Sequence, residues 1–123
     1  AGAGALAEND ALAGKIGFDE KWLRKMGLDP ARLSLIRVEG DSMQPTLNDG
    51  DDIMVDTVAA EHVIKKGIYV LRLDGTLMVK RLLPVKGGIV SILSDNPSYV
   101  AMEGVAATAI KVIGRVVWVG RRL

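Results

Sequence analysis

The chain has 123 residues, 49% of them hydrophobic and 25% charged, the balance of one ordinary globular domain that can bury a core without disulfides or metal. It has no Cys and a single His, His62, which excludes thiol nucleophiles and Cys-ligated zinc or iron–sulfur centres and leaves any Ser-His-Asp triad only that one imidazole. Sixteen basic residues against fifteen acidic ones give a net charge of +1, and the only basic cluster, Arg121-Arg122 with Arg115 nearby, is too small for a DNA-binding face built on several phosphate contacts. No apolar run is long enough to span a membrane. The first residue is Ala1 rather than Met, so the chain is expected to be part of a longer protein.

Residues 1–14 (AGAGALAENDALAG) are small and Gly-rich, and are expected to form a flexible or extended arm rather than a helix. Phe18 to Met26 reads as a short helix, capped by Asp19, ended by Gly27, with Trp22, Leu23 and Met26 as its apolar stripe. Asp29-Pro30 can open one further helical turn.

From Leu33 the apolar pattern changes to period two. Strands are expected at 35–38, at 52–56 after the turn Asn48-Asp49-Gly50, and at 68–73 and 76–82. Asp74-Gly75 between those last two runs is a strong hairpin signal. Further strands are expected at 89–93 and at 109–119, the latter bent at Gly114. Short strands with Gly and Asp turns argue a mainly β domain of coiled, barrel-like antiparallel sheets with one short N-terminal helix.

The least ordinary segment is Gly40-Asp41-Ser42-Met43-Gln44-Pro45-Thr46. Gly40 permits a tight bend, and Ser42 then opens a short turn whose early backbone N–H groups lack partners and can stabilise an oxyanion. Lys80 shares a strand face with Met78 and Leu82, so its amine loses water and the charged form is disfavoured. With a reference pKa of about 10.4, only about one lysine in 2,500 is neutral at pH 7, and a useful base needs a drop of roughly 3 units, or about 4 kcal/mol. Lys111, between Ile110 and Val112, fits the same description, and pattern alone does not choose between the two lysines.

Gly40-Asp41-Ser42-Met43-x-Pro45-Thr46, followed by Gly50-Asp51 and Val79-Lys80-Arg81, resembles the LexA/phage CI-type repressor peptidase family over about residues 33–119. The resemblance extends more loosely to the Phe18–Gly27 helix and the closing Gly114–Gly120 segment. It implies a Ser-Lys dyad in which Ser42 is the nucleophile and Lys80, 38 positions later (80 − 42), the general base, with backbone N–H groups of Asp41 and Ser42 as the oxyanion site. Gly40, Met43, Pro45 and Thr46 would support that turn.

On this resemblance, 1–14 is the linker and cleavage-region arm, and 15–123 is the peptidase and dimerisation domain. A helix-turn-helix DNA-binding domain would precede the chain and alone contact operator DNA. The implied activity is self-cleavage of the linker at an Ala-Gly bond, inactivating repression in an SOS or prophage-type response. Ala3-Gly4, or behind it Ala1-Gly2, is better placed for this than Ala13-Gly14, which lies 28 positions (42 − 14) before Ser42. Implied partners are a second copy of the chain, with the apolar run Val116-Val117-Trp118-Val119 at the dimer contact, and a recombinase filament on single-stranded DNA as co-protease. No cofactor or metal is implied, and the expected setting is cytoplasmic. The alternatives are a catalytically silent dimerisation or sensor domain, and a hydrolase acting in trans like a type I signal peptidase, for which the membrane anchor is lacking here. Asp51, Asp52 and Asp56 read as solvent-facing strand-end residues rather than a metal cluster. His62 reads as a surface or half-buried residue, Trp22 and Trp118 as core or interface aromatics, and Asp95-Asn96-Pro97 as a turn.

Overall fold

The computed structural model describes the backbone of residues 6–7 and, with side chains, residues 17–57 and 64–123. Ala1, Gly2, Ala3, Gly4, Ala13, Gly14 and His62 lie outside the described residues. Eight strands are described: β1 (Leu6–Ala7), β2 (Leu33–Val38), β3 (Asp52–Asp56), β4 (Gly67–Leu73), β5 (Thr76–Val85), β6 (Ile89–Leu93), β7 (Met102–Ala106) and β8 (Lys111–Gly120). A short helix, α1 (Glu20–Lys25), and 3-10 turns at Pro30–Arg32 and Ala107–Ala109 complete the fold. The strands form one antiparallel sheet in the order β1-β2-β3-β8-β4-β5-β6-β7, and β1 also lies against β5, so the sheet curls.

The helix begins where expected, because the Asp19 side chain accepts from Lys21 N at 2.9 Å and so satisfies one of the open N–H groups of the first turn. Its apolar stripe is narrower than the sequence suggests. Leu23 is buried with Leu28 and Met54, whereas Trp22 and Met26 remain 39% and 44% exposed. The reason is aromatic packing: Phe18 stacks on Trp22 with ring centres 5.9 Å apart and meets Trp118 edge-on at 5.0 Å, so only one side of the helix reaches the sheet.

The central strands bury both faces. Ile53 and Val55 of β3 join Val70 and Val79 in one cluster, while Met54 turns to the α1 side. Tyr69 and Leu71 of β4 join Leu82, Val90 and Ile92 in another. The β4–β5 hairpin turns on Asp74 and Gly75 with φ of 51° and 79°, the left-handed pair that suits strand twist in a two-residue loop.

β5 runs to Val85, past Pro84, farther than the sequence suggests. β7 is not legible as a strand in the sequence, because it is an edge strand, paired only to β6, and four of its five residues are exposed. β8 lies in the interior of the sheet between β3 and β4, so its apolar run is not a free edge. Asp51 corrects its solvent-facing reading: it is 1% exposed, accepts from Asn48 N at 2.7 Å, and is held by Arg121 Nε and Nη2 at 2.9 and 2.8 Å. Burial pushes the Asp51 carboxyl up, but the Arg121 and Asn48 hydrogen bonds outweigh it and the carboxyl titrates below its ordinary value.

At the expected bend in β8, Gly114 packs so tightly on β3 that a Cβ there would stand 2.6 Å from Val55 Cγ1 and 2.7 Å from the Asp56 carbonyl oxygen. The second of these is backbone, which cannot rotate away. Gly114→Ala should therefore cost about 2 kcal/mol, read as a lower denaturant midpoint at unchanged m-value. A variant as stable as the parent would show that β3 and β8 sit farther apart in solution.

Candidate active site

Ser42 sits in a turn anchored on both sides by core residues. Gly40 has φ of 89° and donates its N–H to Asp49 Oδ1 at 2.8 Å, which turns the chain out of β2. Met43 and Leu47, each 1% exposed, then plunge into the cluster with Val38 and Val79. Burial of such side chains is worth roughly 1.5–3 kcal/mol each, which offsets part of the turn's conformational entropy. Leu47 N donates to Met43 O at 2.8 Å, which makes the segment one helical turn, and the Gln44–Pro45 peptide is cis. Among the described residues, no acceptor is paired with the N–H of Asp41 or Ser42.

Lys80 lies on β5 directly opposite Tyr69, on the face that carries Met78 and Leu82. It is only 8% exposed, whereas Lys111 is exposed, so the two lysines that the pattern left equivalent differ in solvation. Burial pushes the Lys80 amine below its ordinary value. The amine stands 5.7 Å from the centre of the Tyr99 ring, in a cleft of about 250 Å³ whose lining includes Ser94 and the apolar Met78, Ile92 and Met102. A larger apolar cleft of about 410 Å³, beside Ile64, Pro84 and Ile89, is lined by neither Ser42 nor Lys80.

One loop ties the two segments together. After β6, Asn96 N donates to the Ser42 carbonyl at 2.9 Å and Asn96 Nδ2 to the Asp41 carbonyl at 3.0 Å, while the Tyr99 hydroxyl donates to Asp41 Oδ1. Asp95 N reaches Met43 Sδ at 3.4 Å, and Asp95 accepts both Arg81 Nε and Nη2 at 2.8 Å, plus the Thr46 hydroxyl. The Arg81 guanidinium outweighs burial and holds the Asp95 carboxyl below its ordinary value. Two residues from Asn96, Ser94 Oγ accepts a hydrogen bond from Lys80 Nζ at 2.8 Å.

Lys80 Nζ and Ser42 Oγ, the pair expected as a dyad, are not hydrogen-bonded to each other: Lys80 Nζ uses Ser94, and Ser42 Oγ, buried with its residue 1% exposed, has no partner among the described residues. Gly40, Asp41, Ser42, Met43, Pro45 and Thr46 form one turn, and Thr46 and Met43 brace it against Asp95. The sequence pattern singles out Asp95-Asn96-Pro97 only as a turn, gives Asn96 no further role, and passes over Ser94 and Tyr99. The signal that could find Ser94 is hairpin register: Arg81 opposite Leu93 places Lys80 opposite Ser94.

The Peptidase S24-like family profile matches residues 1–117. The chain belongs to that family. Similar proteins include the HTH-type transcriptional regulator PrtR of Pseudomonas aeruginosa, 34% identical over 96% of this chain and 48% of its own length. Repressor protein CI of Enterobacteria phage phi80 is 30% identical over 95% of this chain and 50% of its own length. The 26 kDa repressor protein of Escherichia phage HK022 is 42% identical over 54% of this chain and 28% of its own length. The chain thus spans about half the length of the first two relatives. The mainly β, antiparallel fold expected for a LexA/CI-type peptidase domain is the fold observed. Among the described residues, no helix is long and apolar enough to cross a membrane.

Proposed function

We propose that this chain is the dimerising, self-cleaving domain of a DNA-binding transcriptional repressor, with Ser42 as nucleophile and Lys80 as general base. The observation that carries the reading is a buried lysine and a buried, unpartnered serine hydroxyl tied to positions 94 and 96 of one loop. Neutral Lys80 Nζ takes the Ser42 Oγ proton as Oγ bonds to the carbonyl carbon of the scissile residue. The N–H groups of Asp41 and Ser42 stabilise the resulting oxyanion. As the carbonyl re-forms, the peptide C–N bond breaks and Lys80 returns its proton to the departing amine. Water, deprotonated by Lys80, then attacks the Ser42 ester, and the proton passes back to Oγ as the acid leaves.

The substrate is the chain's own arm. Leu6 pairs antiparallel with Val38, the last residue of β2, four positions before Ser42 (42 − 38). The bond proposed for cleavage is Ala3-Gly4, three positions before that pairing (6 − 3), a span of about 10 Å at about 3.3 Å per residue if extended. Ala1-Gly2, behind it, is the second candidate, and Ala13-Gly14, 28 positions before Ser42 (42 − 14), is the least favoured. Cleavage there would part the domain from a DNA-binding region as found in an HTH-type regulator, in a cytoplasmic protein acting as a homodimer and stimulated by a recombinase filament on single-stranded DNA.

Incubation at pH 9–10 followed by intact mass spectrometry tests this, since alkali neutralises Lys80. Loss of Ala1–Ala3 from this chain, absent in Ser42→Ala, is the expected result, and a chain that keeps its full mass for days overturns it. The second reading, a dimerising module with a silent dyad, is favoured by one observation, the Lys80 bond to Ser94 instead of Ser42. It predicts that unclipped outcome.

A further inference from the structure

The hydroxyl that Lys80 does meet has no role in the mechanism above. We propose that Ser94 is a positioning residue that holds the Lys80 amine in its charged form, out of hydrogen-bonding contact with Ser42, until a peptide lies in the cleft. This rests on the dyad reading and adds its regulation.

Three observations carry it. Lys80 Nζ donates to Ser94 Oγ at 2.8 Å while Ser42 Oγ, buried beside the same loop, is bonded to nothing among the described residues. The Tyr99 ring, 5.7 Å from the amine, offers a second contact that favours a cation over a neutral amine. Ser42 is 1% exposed, and the loop that carries both Ser94 and Tyr99 is tied to it, Asn96 donating to the Ser42 and Asp41 carbonyls. A hydroxyl accepting from an ammonium stabilises the charge, and a charged Lys80 cannot take a proton. Breaking one bond, Lys80 to Ser94, therefore frees the amine and moves it toward the neutral form in the same event.

Burial disfavours the Lys80 charge, and the other titratable groups around it are engaged elsewhere, which leaves the Ser94 bond to oppose burial. Tyr69, opposite on β4, has its hydroxyl bound to the Lys65 backbone, and Arg115 of β8 lies 6.0 Å from the Tyr69 ring. Arg81 and Asp95 neutralise one another, and the Asp41 carboxylate holds the Tyr99 hydroxyl above its ordinary value, so Tyr99 stays protonated in mild alkali.

The test pairs Ser94→Ala with Ser94→Thr, which keeps the hydroxyl. Self-cleavage of Ser94→Ala should reach its half-maximal rate about one pH unit lower than the parent's, making it several-fold faster at neutral pH, and Ser94→Thr should restore the parent profile. Cleavage that is unchanged, or slower at every pH without a shift, overturns the inference. A second measurement does not depend on cleavage. In a Ser42→Ala background, the side-chain NMR titration of Lys80 should move to lower pH on Ser94→Ala, and an unmoved midpoint overturns the role of Ser94. A wild-type chain that never clips, together with a Lys80 midpoint that does move, would sink the protease reading and leave the Ser94 bond standing.

Discussion

Replacing Ser42 by alanine is expected to stop self-cleavage and to make the domain more stable. The first effect follows from loss of the nucleophile: such substitutions in serine hydrolases cost on the order of 10⁴-fold or more in rate. The second follows from the buried hydroxyl. Ser42 Oγ is sealed from solvent and makes no hydrogen bond among the described residues, so it carries a desolvation penalty with nothing to offset it. Alanine removes that penalty at the cost of a very small void. A gain of about 1 kcal/mol is expected, or roughly 3–4 °C in melting temperature for a domain of this size. Thermal unfolding of both proteins at pH 7, where cleavage is slow, reads it directly. A Ser42→Ala protein that melts several degrees lower would mean that the hydroxyl has a partner in solution and that the nucleophile is not held in waiting.

Lys80 should show the same opposition between stability and chemistry, with a pH dependence that fixes its sign. Lys80→Arg should end cleavage although it keeps the charge, because a guanidinium does not release its proton. Lys80→Met should end it too, and should stabilise the fold by about 1–2 kcal/mol at neutral pH, since an apolar side chain of similar length replaces a buried ammonium. In the wild type, the cleavage rate should rise about tenfold per pH unit up to the Lys80 pKa and then level off.

Burial depresses that pKa in the folded chain. Between the depressed value and about 10.4 the unfolded chain binds more protons than the folded one, so the Lys80 contribution to stability improves as pH rises through that window. The advantage of Lys80→Met over wild type should therefore shrink with increasing pH. Urea titrations at pH 7 and pH 10 measure it, and an advantage that grows would place the lysine in a site that favours its charge.

Much of the chemistry is legible in the sequence because it is local. Gly40 through Leu47 packs a bend, a buried serine and two core anchors into eight residues, and Asp74-Gly75 declares its hairpin through backbone conformation alone. The strands at 52–56 and 89–93 stand where alternation puts them, since each has its apolar residues at period two or in a doubly buried run. β7 escapes because an exposed edge strand buries too little to impose an apolar period. Asp51 misleads for a related reason. An acidic residue after a glycine turn is ordinarily wet, and only the return of β8, 70 positions later, brings Arg121 to neutralise it. Trp22 and Met26 carry a helical apolar pattern, but how much of that face meets the sheet depends on where Phe18 and Trp118 stack.

The class of fold, the turn that carries Ser42 and a strand face that strips water from Lys80 are all written in the order of the residues. Those properties reside in backbone preference and in the spacing of neighbouring side chains, which a linear chain displays in full. Which lysine is buried, and what its amine touches, emerge only when the strands assemble. The partner hydroxyl, Ser94, is set by the pairing of β5 with β6, and the link to Ser42 by a loop more than fifty residues farther along the chain. Contacts of that kind depend on how the sheet curls, a property shared among all its strands and held by no single segment.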